Sequence, residues 1–254
     1  MSIDFGFLPQ TAFVFFLIFA RVGTMIMVIP GIGDRAVPIR IRLTFALGLT
    51  LILYPTLTGK LPTMPPEISM LLVHLIYEVI IGIALAFSVR LIIAGLHAAG
   101  EVIAVQTGLA FAQSVDPSQG IQGTLVSNFM SLLSVTLIFA ADLHHILLQT
   151  IVDSYTLFPV GNLYPAEDFL QVAIRTLANA FRIGLQLAAP FIVFGLVFYL
   201  GVGILSRLIP QVQVFFVAMP ANIFFGFILF MMLLSTLMLW YLDYFGESLR
   251  PYLK

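Results

Sequence analysis

Charged side chains interrupt the long apolar stretches of this chain, and this conflict limits the folds that it can adopt. Hydrophobic residues make up 61% of the sequence and charged residues only 9%, whereas an ordinary soluble domain is about one quarter charged. A membrane is therefore the natural solvent for much of the surface. A charge in hydrocarbon costs at least about 2.5 to 3.5 kcal/mol, so the interrupting charges must face protein partners or water. They are Arg21, Glu78, Glu101, Asp142, Arg175 and Arg182.

Composition and motifs exclude several classes of function. The formal net charge of −1 provides no basic surface for nucleic acid. Without cysteine, the chain can form neither disulfides nor thiolate metal sites. The sequence lacks GxSxG, Walker-loop and HExxH patterns, so we expect no enzyme, no cofactor and no metal site. No basic region precedes the first apolar segment, which we interpret as part of the mature protein.

The apolar residues fall into segments that all read as helices, because they are long and show no period-two alternation. Some are short for a hydrocarbon core of about 30 Å and others are overlong, so about four to seven spans fit the pattern. Pro190 is expected to kink the sixth segment. The predicted fold class is all-α, with membrane-associated helices. The predicted segments are 11–29, 41–53, 68–95, 96–113, 124–153, 169–205 and 212–245.

Two histidine–glutamate pairs lie in apolar segments. His74 and Glu78 are four residues apart, as are His97 and Glu101, so each pair shares a helix face. Such pairs could relay protons or bind metal, but zinc needs about four ligands and no other residue has suitable spacing. We therefore interpret the two glutamates as structural contacts between helices rather than proton carriers.

A third polar group consists of Asp142, His144 and His145, in the second half of the fifth segment. Adjacent helical residues point in different directions, so only one of the two histidines is expected to face Asp142. The group could couple protons, but an interfacial helix end is the favoured interpretation.

The segment 108–123 is irregular, and its part 114–123 is the most polar stretch between two apolar segments. Its glycines and Pro117 break any helix. Irregular backbone at membrane depth is tolerated only where it is buried in protein or lines a cavity. The stretch therefore has two interpretations, a surface loop or a re-entrant plug in a translocation path, and the residues alone leave both open.

Short motifs recur in a characteristic order along nearly the whole chain. They are 20–23, Pro30, 36–38, 40–43, 100–101, 108–112, 116–117, 144–145, Ser154, Pro159, 205–207, 210–211, 214–216 and Pro220. No single motif is specific, but their order and spacing are, and together they resemble the FliR family of type III export-gate proteins, whose relatives in virulence systems are SpaR and YscT. Gln213 stands where the family pattern has asparagine, which is a mild polar difference.

The resemblance implies a core subunit of the flagellar export gate, which forms a channel for unfolded flagellar proteins together with FliP-like and FliQ-like subunits. An FlhB-like protein would pack around this gate. Residues 1–168 would form a FliP-like part and 169–254 a FliQ-like hairpin with a C-terminal tail, stacked helically with the partner subunits. The location would be the bacterial inner membrane at the flagellar basal body, with much of the chain at periplasmic level.

The resemblance also implies roles for particular residues. Apolar surface would be buried against partner subunits rather than lipid, and the interrupting charges would meet partners across subunit boundaries. Membrane lipid would be a further partner of the chain. Polar contacts between helices are expected at Arg21, Glu78, Glu101, Arg207 and Gln211. The plug would comprise 108–123, with Gly108, Phe111, Ser114, Asp116, Pro117, Gln119, Gly120, Ile121 and Gly123 as its main residues.

The alternative function is a proton-coupled secondary transporter. It would have discontinuous helices at Pro190 and Pro220, and a glutamate or histidine would carry the protons. Transporters of this kind show internal repeats, and the two halves of this sequence show none. An intramembrane enzyme is a third possibility, but it lacks an evident nucleophile.

Overall fold

The computed structural model describes residues 8–34, 36–57, 59, 61–110, 123–161, 166–211 and 213–253, except for the side chains of residues 8, 166 and 168. Across these ranges the structure is 86% helical and has no strand, which confirms the predicted all-α fold. The main helices are α1 (Leu8–Val28), α2 (Ile39–Leu57), α3 (Ile68–Gln106), α4 (Leu125–Ala140), α5 (His144–Leu157), α6 (Ala166–Leu208) and α7 (Val214–Leu249), followed by the short 3₁₀ helix Arg250–Tyr252.

Most of these helices are long and apolar enough to cross a membrane. Among the described residues, α1, α2, α3, α6 and α7 qualify individually, and α4 with α5 qualifies as one broken span. Helix α3 has 39 residues and α6 has 43. At 1.5 Å per residue they are about 58 and 64 Å long, roughly twice the hydrocarbon thickness. The longest helices must therefore tilt steeply or extend beyond the hydrocarbon core.

Helix α3 is continuous where the sequence predicted two segments meeting between residues 95 and 96, so that predicted boundary is wrong. The glycine at the predicted boundary allows close helix approach instead. A Cβ on Gly95 would lie 2.5 Å from the carbonyl oxygen of Ala180, and one on Gly184 would lie 2.6 Å from the carbonyl oxygen of Gly95. Small residues at such contacts let helix backbones pack directly in membranes.

The fifth predicted segment, 124–153, is two helices rather than one. The backbone of Asp142 adopts φ 58°, a left-handed conformation that aspartate tolerates better than most residues. The N–H of Ala141 donates to the carbonyl of Leu137 at 2.8 Å and ends α4. The break is set by backbone conformation at one residue, which apolar periodicity does not reveal.

Prolines lie inside three of the long helices without ending them. Pro55 lies within α2, Pro190 within α6 and Pro220 within α7. Membrane helices tolerate proline where neighbouring groups satisfy the freed carbonyls. The transporter alternative predicted discontinuous helices at Pro190 and Pro220. This prediction is wrong, because α6 and α7 continue through these prolines.

Two compact units are built from non-contiguous parts of the chain. Unit 1 comprises Met1–Leu91, Asp142–Thr176 and Gly246–Lys254, and unit 2 comprises Ile92–Ala141 and Leu177–Phe245. The predicted division into 1–168 and 169–254 concerns likeness to other subunits rather than contacts, and it stays a prediction.

Each unit has its own apolar core. In unit 1, α1 packs against α2, and buried side chains come from α1, α2, α3 and α5. In unit 2 they come from α3, α4, α6 and α7. The buried apolar side chains include Leu17, Ile18, Met25, Ile26, Ile81, Ile151 and Tyr155 in unit 1, and Leu96, Met130, Leu187, Phe191, Tyr241 and Phe245 in unit 2.

The last two long helices leave most of their apolar surface uncovered. Only 22% of the most apolar window of α6 is buried within the chain, and the same share holds for α7, against 56% for α3. Lipid or other protein must cover the remainder, since water would oppose so much exposed hydrocarbon. Among the most exposed side chains are Leu196, Leu200, Ile204, Phe216, Phe224 and Met232.

Candidate functional site

The most deeply buried charge in unit 1 is Arg21, whose side chain is fully enclosed and paired with Glu78. The Nε of Arg21 donates to Oε2 of Glu78 at 2.6 Å, and Nη2 donates to Oε1 at 3.0 Å. This is the two-point geometry that makes arginine–carboxylate pairs strong and directional. The pair joins α1 to α3.

The remaining donors of Arg21 bind the C-terminal end of α5. Nη1 donates to the carbonyl of Ser154 at 2.9 Å, and Nη2 donates to the carbonyl of Phe158 at 2.9 Å. The guanidinium carbon lies 4.2 Å from the centre of the Tyr155 ring. A cation at a helix C-terminus is favourable because the last carbonyls lack intrahelical donors. Arg21 thus ties three helices together, and protein groups enclose its own charge.

The sequence identified Arg21 and Glu78 as polar contacts but did not join them. The residues are 57 positions apart, and the residue that shared a helix face with Glu78 was His74. In the structure, Nδ1 of His74 instead lies 2.7 Å from the carbonyl of Met70. The expectation that all interrupting charges would meet partners across subunit boundaries is wrong for Arg21 and Glu78, because they neutralise each other within the chain.

Glu101 holds the N-terminus of α4 in unit 2. Its Oε1 accepts the N–H of Thr124 at 2.7 Å and the hydroxyl of Ser127 at 2.7 Å. The hydroxyl of Thr124 also accepts the N–H of Ser127 at 3.2 Å, as an N-cap. A carboxylate at a helix N-terminus is favourable because the first N–H groups lack partners. His97, with Nε2 3.7 Å from Glu101 Oε1, completes the cluster.

The other predicted contact residues are on the surface of the single chain. Arg207 is exposed in the last turn of α6, where its charge complements the helix dipole. Gln211 is exposed in the turn that follows, and Arg175 and Arg182 are exposed on α6. Their contacts with other helices stay predictions.

Asp142, His144 and His145 come together more closely than the sequence predicted. One potential ligand atom from each lies within 4.8 Å of the other two. The expectation that a single histidine would face Asp142 assumed a continuous helix, and the left-handed turn at Asp142 invalidates it. Three ligands are one short of a structural zinc site, and Asp142 and His145 are exposed.

A polar cluster that sequence reasoning missed surrounds Asn222 in unit 2. This side chain is only 2% exposed. Its Nδ2 donates to the carbonyl of Gln106 at 3.4 Å and to the hydroxyl of Tyr199 at 3.3 Å. The available signal was an asparagine within an otherwise apolar stretch, two residues after Pro220.

Only the ends of the predicted plug are within the described residues. Gly108 and Gly123 both have left-handed φ angles, 75° and 89°, which glycine adopts without a Cβ penalty. The remaining predicted plug residues lie outside the described residues: Phe111, Ser114, Asp116, Pro117, Gln119, Gly120 and Ile121.

These features define a helical membrane protein with several candidate spans, in which the buried charges of the described residues are held by the chain itself. A profile of the bacterial export proteins, family 1, matches residues 12–248. The flagellar biosynthetic protein FliR of Caulobacter vibrioides is 44% identical over 233 residues, 92% of this chain and 93% of that protein.

Two further bacterial relatives have the same name. FliR of Escherichia coli is 30% identical over 210 residues, 81% of this chain and 78% of that protein. FliR of Bacillus subtilis is 29% identical over 226 residues, 88% of this chain and 86% of that protein. The chain belongs to the bacterial export proteins, family 1, and within them to the FliR family.

Proposed function

We propose that this chain is a core subunit of the flagellar type III export gate and forms, with FliP-like and FliQ-like subunits, the channel for unfolded flagellar proteins. The observation that carries the proposal is the 44% identity to a flagellar biosynthetic protein FliR across 92% of the chain. The match extends over both compact units, so it concerns the whole architecture rather than one module.

The uncovered helices support a multi-subunit gate. Helices α6 and α7 bury little of their apolar surface within the chain, although they are longer than a bilayer is thick. Surface beyond the hydrocarbon core needs protein rather than lipid to cover it. The proposed location is the inner membrane at the flagellar basal body, with parts of the long helices at periplasmic level and an FlhB-like protein outside the gate.

The geometry of α6 and α7 supports the proposed FliQ-like hairpin. Tyr199 contacts Asn222 at 3.3 Å, and the ring of Phe191 lies 6.2 Å from that of Phe230. Going from the first contact to the second moves eight residues back along α6 and eight residues forward along α7. This is the contact pattern of an antiparallel hairpin. We propose that this hairpin, 169–254, stacks beside FliQ-like subunits and that 1–168 stacks beside FliP-like subunits.

Co-expression tests the gate proposal. Tagged chain produced with FliP-like and FliQ-like proteins from the same organism should extract in mild detergent as one complex that survives size exclusion. The matched control is the same tagged chain produced with an unrelated set of membrane subunits. Recovery of the chain without either partner, at equal expression, would contradict the proposal.

We also propose that 108–123 closes the central path of the gate. Two observations support this proposal. Gly108 and Gly123, the first and last residues of the stretch, both have left-handed φ angles. The stretch also contains Ser and Gln side chains, which can form hydrogen bonds in a water-filled cavity.

Deleting 117–122 should leave assembly intact and make the closed gate leak small solutes. An exported chain must displace a plug, so its contacts are expected to be weak, and their loss should not destabilise the complex. The measurement is conductance or small-solute entry in cells that lack the rest of the export machinery. A deletion mutant that assembles fully, shows no added leak and exports normally would make 108–123 an ordinary surface loop.

A further inference from the structure

Three side chains of the types that bind metal ions meet at the start of α5, within unit 1. Asp142 lies two residues before α5, and His144 and His145 are its first two residues. One potential ligand atom from each lies within 4.8 Å of the other two. Among the described residues, no other group of three histidine, aspartate or glutamate side chains comes this close together.

The left-handed turn at Asp142 brings these side chains together. In a continuous helix the two adjacent histidines would point in different directions, which is why only one of them was expected to face Asp142. With φ 58° at Asp142, Nδ1 of His145 lies 3.8 Å from Oδ1 of Asp142. The centres of the two imidazole rings are 4.2 Å apart. The backbone conformation therefore holds the ligands close together without a bound cation.

The ligand types select a class of cation. Imidazole nitrogen suits zinc, copper, nickel and iron, whereas calcium and magnesium take oxygen ligands. Two imidazoles and one carboxylate form the protein part of open zinc sites, in which water takes the fourth position. Bonds of about 2.0 to 2.1 Å place the ligand atoms of a tetrahedral zinc site roughly 3.3 Å apart. Rotation of exposed side chains can close the present spacing to that value.

The cluster is accessible, and the charge of its carboxylate is available to a cation. The side chain of Asp142 is 79% exposed and that of His145 is 69% exposed. Water or a polar partner must reach them, because hydrocarbon strongly disfavours a charge. Among the described residues, no lysine or arginine forms an ion pair with Asp142.

The backbone also provides an acceptor that can orient one imidazole. Nδ1 of His145 lies 3.2 Å from the carbonyl oxygen of Asp142. When Nδ1 donates its proton to that carbonyl, Nε2 keeps the lone pair that a metal ion needs. Imidazoles that bind metals commonly donate their other N–H in this way, which fixes the tautomer and the orientation of the ring.

We propose that Asp142, His144 and His145 form a binding site for one divalent transition-metal cation of the zinc class. The three side chains provide three ligands, and water completes the coordination. A bound cation would hold the turn in its present conformation, because it would link Asp142 to the first turn of α5. The site goes beyond the proposed export function and does not depend on it, since all its ligands come from one turn of this chain.

Zinc titration of the purified protein tests the site. The full-length chain, with the subunits that remain bound to it, is purified from membranes through a tag without histidine, freed of metal with a chelator and titrated with zinc chloride by calorimetry. His145→Ala should weaken the binding of one zinc ion per chain by at least about tenfold, since losing even an outer-shell group weakens metal binding about 10- to 100-fold. The double variant His144→Ala, His145→Ala should abolish it.

Asp142→Asn is the matched test of the carboxylate. Asparagine has the same shape as aspartate and also tolerates the left-handed conformation, so the turn should persist while the charge is lost. Zinc binding should again weaken by at least about tenfold. If the double histidine variant fails to accumulate, Asp142→Asn and His145→Ala provide the test, because both positions are exposed.

Two controls address zinc bound elsewhere on the complex. His74→Ala removes a histidine outside the cluster and should leave the affinity and the number of bound zinc ions unchanged. Excess magnesium should not displace the zinc, because magnesium takes oxygen ligands. X-ray absorption at the zinc edge should show two imidazole nitrogens at about 2.0 to 2.1 Å in the unsubstituted protein.

The outcomes separate cleanly. Weaker zinc binding in Asp142→Asn and His145→Ala, with unchanged binding in His74→Ala, supports the site. An unsubstituted protein that binds no zinc overturns it. Equal zinc affinity and stoichiometry in the unsubstituted protein, Asp142→Asn and His145→Ala also overturn it, as does a loss in His74→Ala as large as that in His145→Ala.

Discussion

Glu78→Gln should strongly reduce the amount of assembled complex and lower the stability of unit 1 by about 3 to 5 kcal/mol, the usual result of removing one partner of a buried ion pair. The guanidinium of Arg21 would remain enclosed with its charge uncompensated, because its other acceptors are the neutral carbonyls of Ser154 and Phe158. The measurement is the fraction of tagged chain recovered in complex, with its resistance to heating in detergent.

The matched controls test the ion pair itself. Glu67→Gln, at an exposed position, should have no effect, because exposed charges contribute at most about 1 kcal/mol. The double variant Arg21→Met, Glu78→Met removes both charges and should recover at least half of the lost assembly, as apolar replacements of buried pairs do. Normal assembly of Glu78→Gln together with loss of proton-dependent export would show that Glu78 carries protons and that its structural role is wrong.

Expressed without its partners, the chain should aggregate in mild detergent and be digested by protease within α6 and α7. The apolar windows of these helices are only 22% buried within the chain, and helix surface beyond the hydrocarbon core has neither lipid nor protein against it. We expect most of the chain in the void volume on size exclusion, and cleavage at least about tenfold faster than in the complex, since local opening governs proteolysis.

The order in which the protease cleaves the helices provides an internal control for this prediction. Helix α3, whose apolar window is 56% buried within the chain, should be digested later than α6 and α7 in the same sample. Cleavage first in α3 would contradict the argument from uncovered surface. A monodisperse, protease-resistant monomer would count against the multi-subunit gate altogether.

These two predictions have different physical origins. Arg21 and Glu78 were expected to need partner subunits, but they satisfy each other inside the chain. The dependence on partners therefore rests on the apolar faces of α6 and α7 rather than on stranded charges. Because the buried charges of unit 1 are already paired, we expect this unit to fold in part before assembly. The apolar faces of α2, α6 and α7 would be covered within the gate and by lipid.

Apolar length and composition were sufficient to predict helices throughout, because a backbone in hydrocarbon must satisfy its hydrogen bonds internally and a helix does so within one segment. The same reasoning placed the end of α1 before Pro30 and the connection around 59–67. It also singled out Arg21, Glu78 and Glu101, since any charge within an apolar stretch needs a partner.

Tertiary structure alone decided which partner each charge has. Arg21 meets Glu78 across 57 positions, and Glu101 meets the start of α4, because helix packing brings distant residues together and local spacing carries no record of it. Gly95, at which the sequence divided α3, proved to be the point where Ala180 approaches closely. The division of 124–153 depended on one left-handed residue, Asp142. Asn222 gained its contacts with Gln106 and Tyr199 only when α7 packed against the end of α3 and against α6. The sequence by itself determined which segments are helical and which side chains need partners, whereas packing determined how those needs are met.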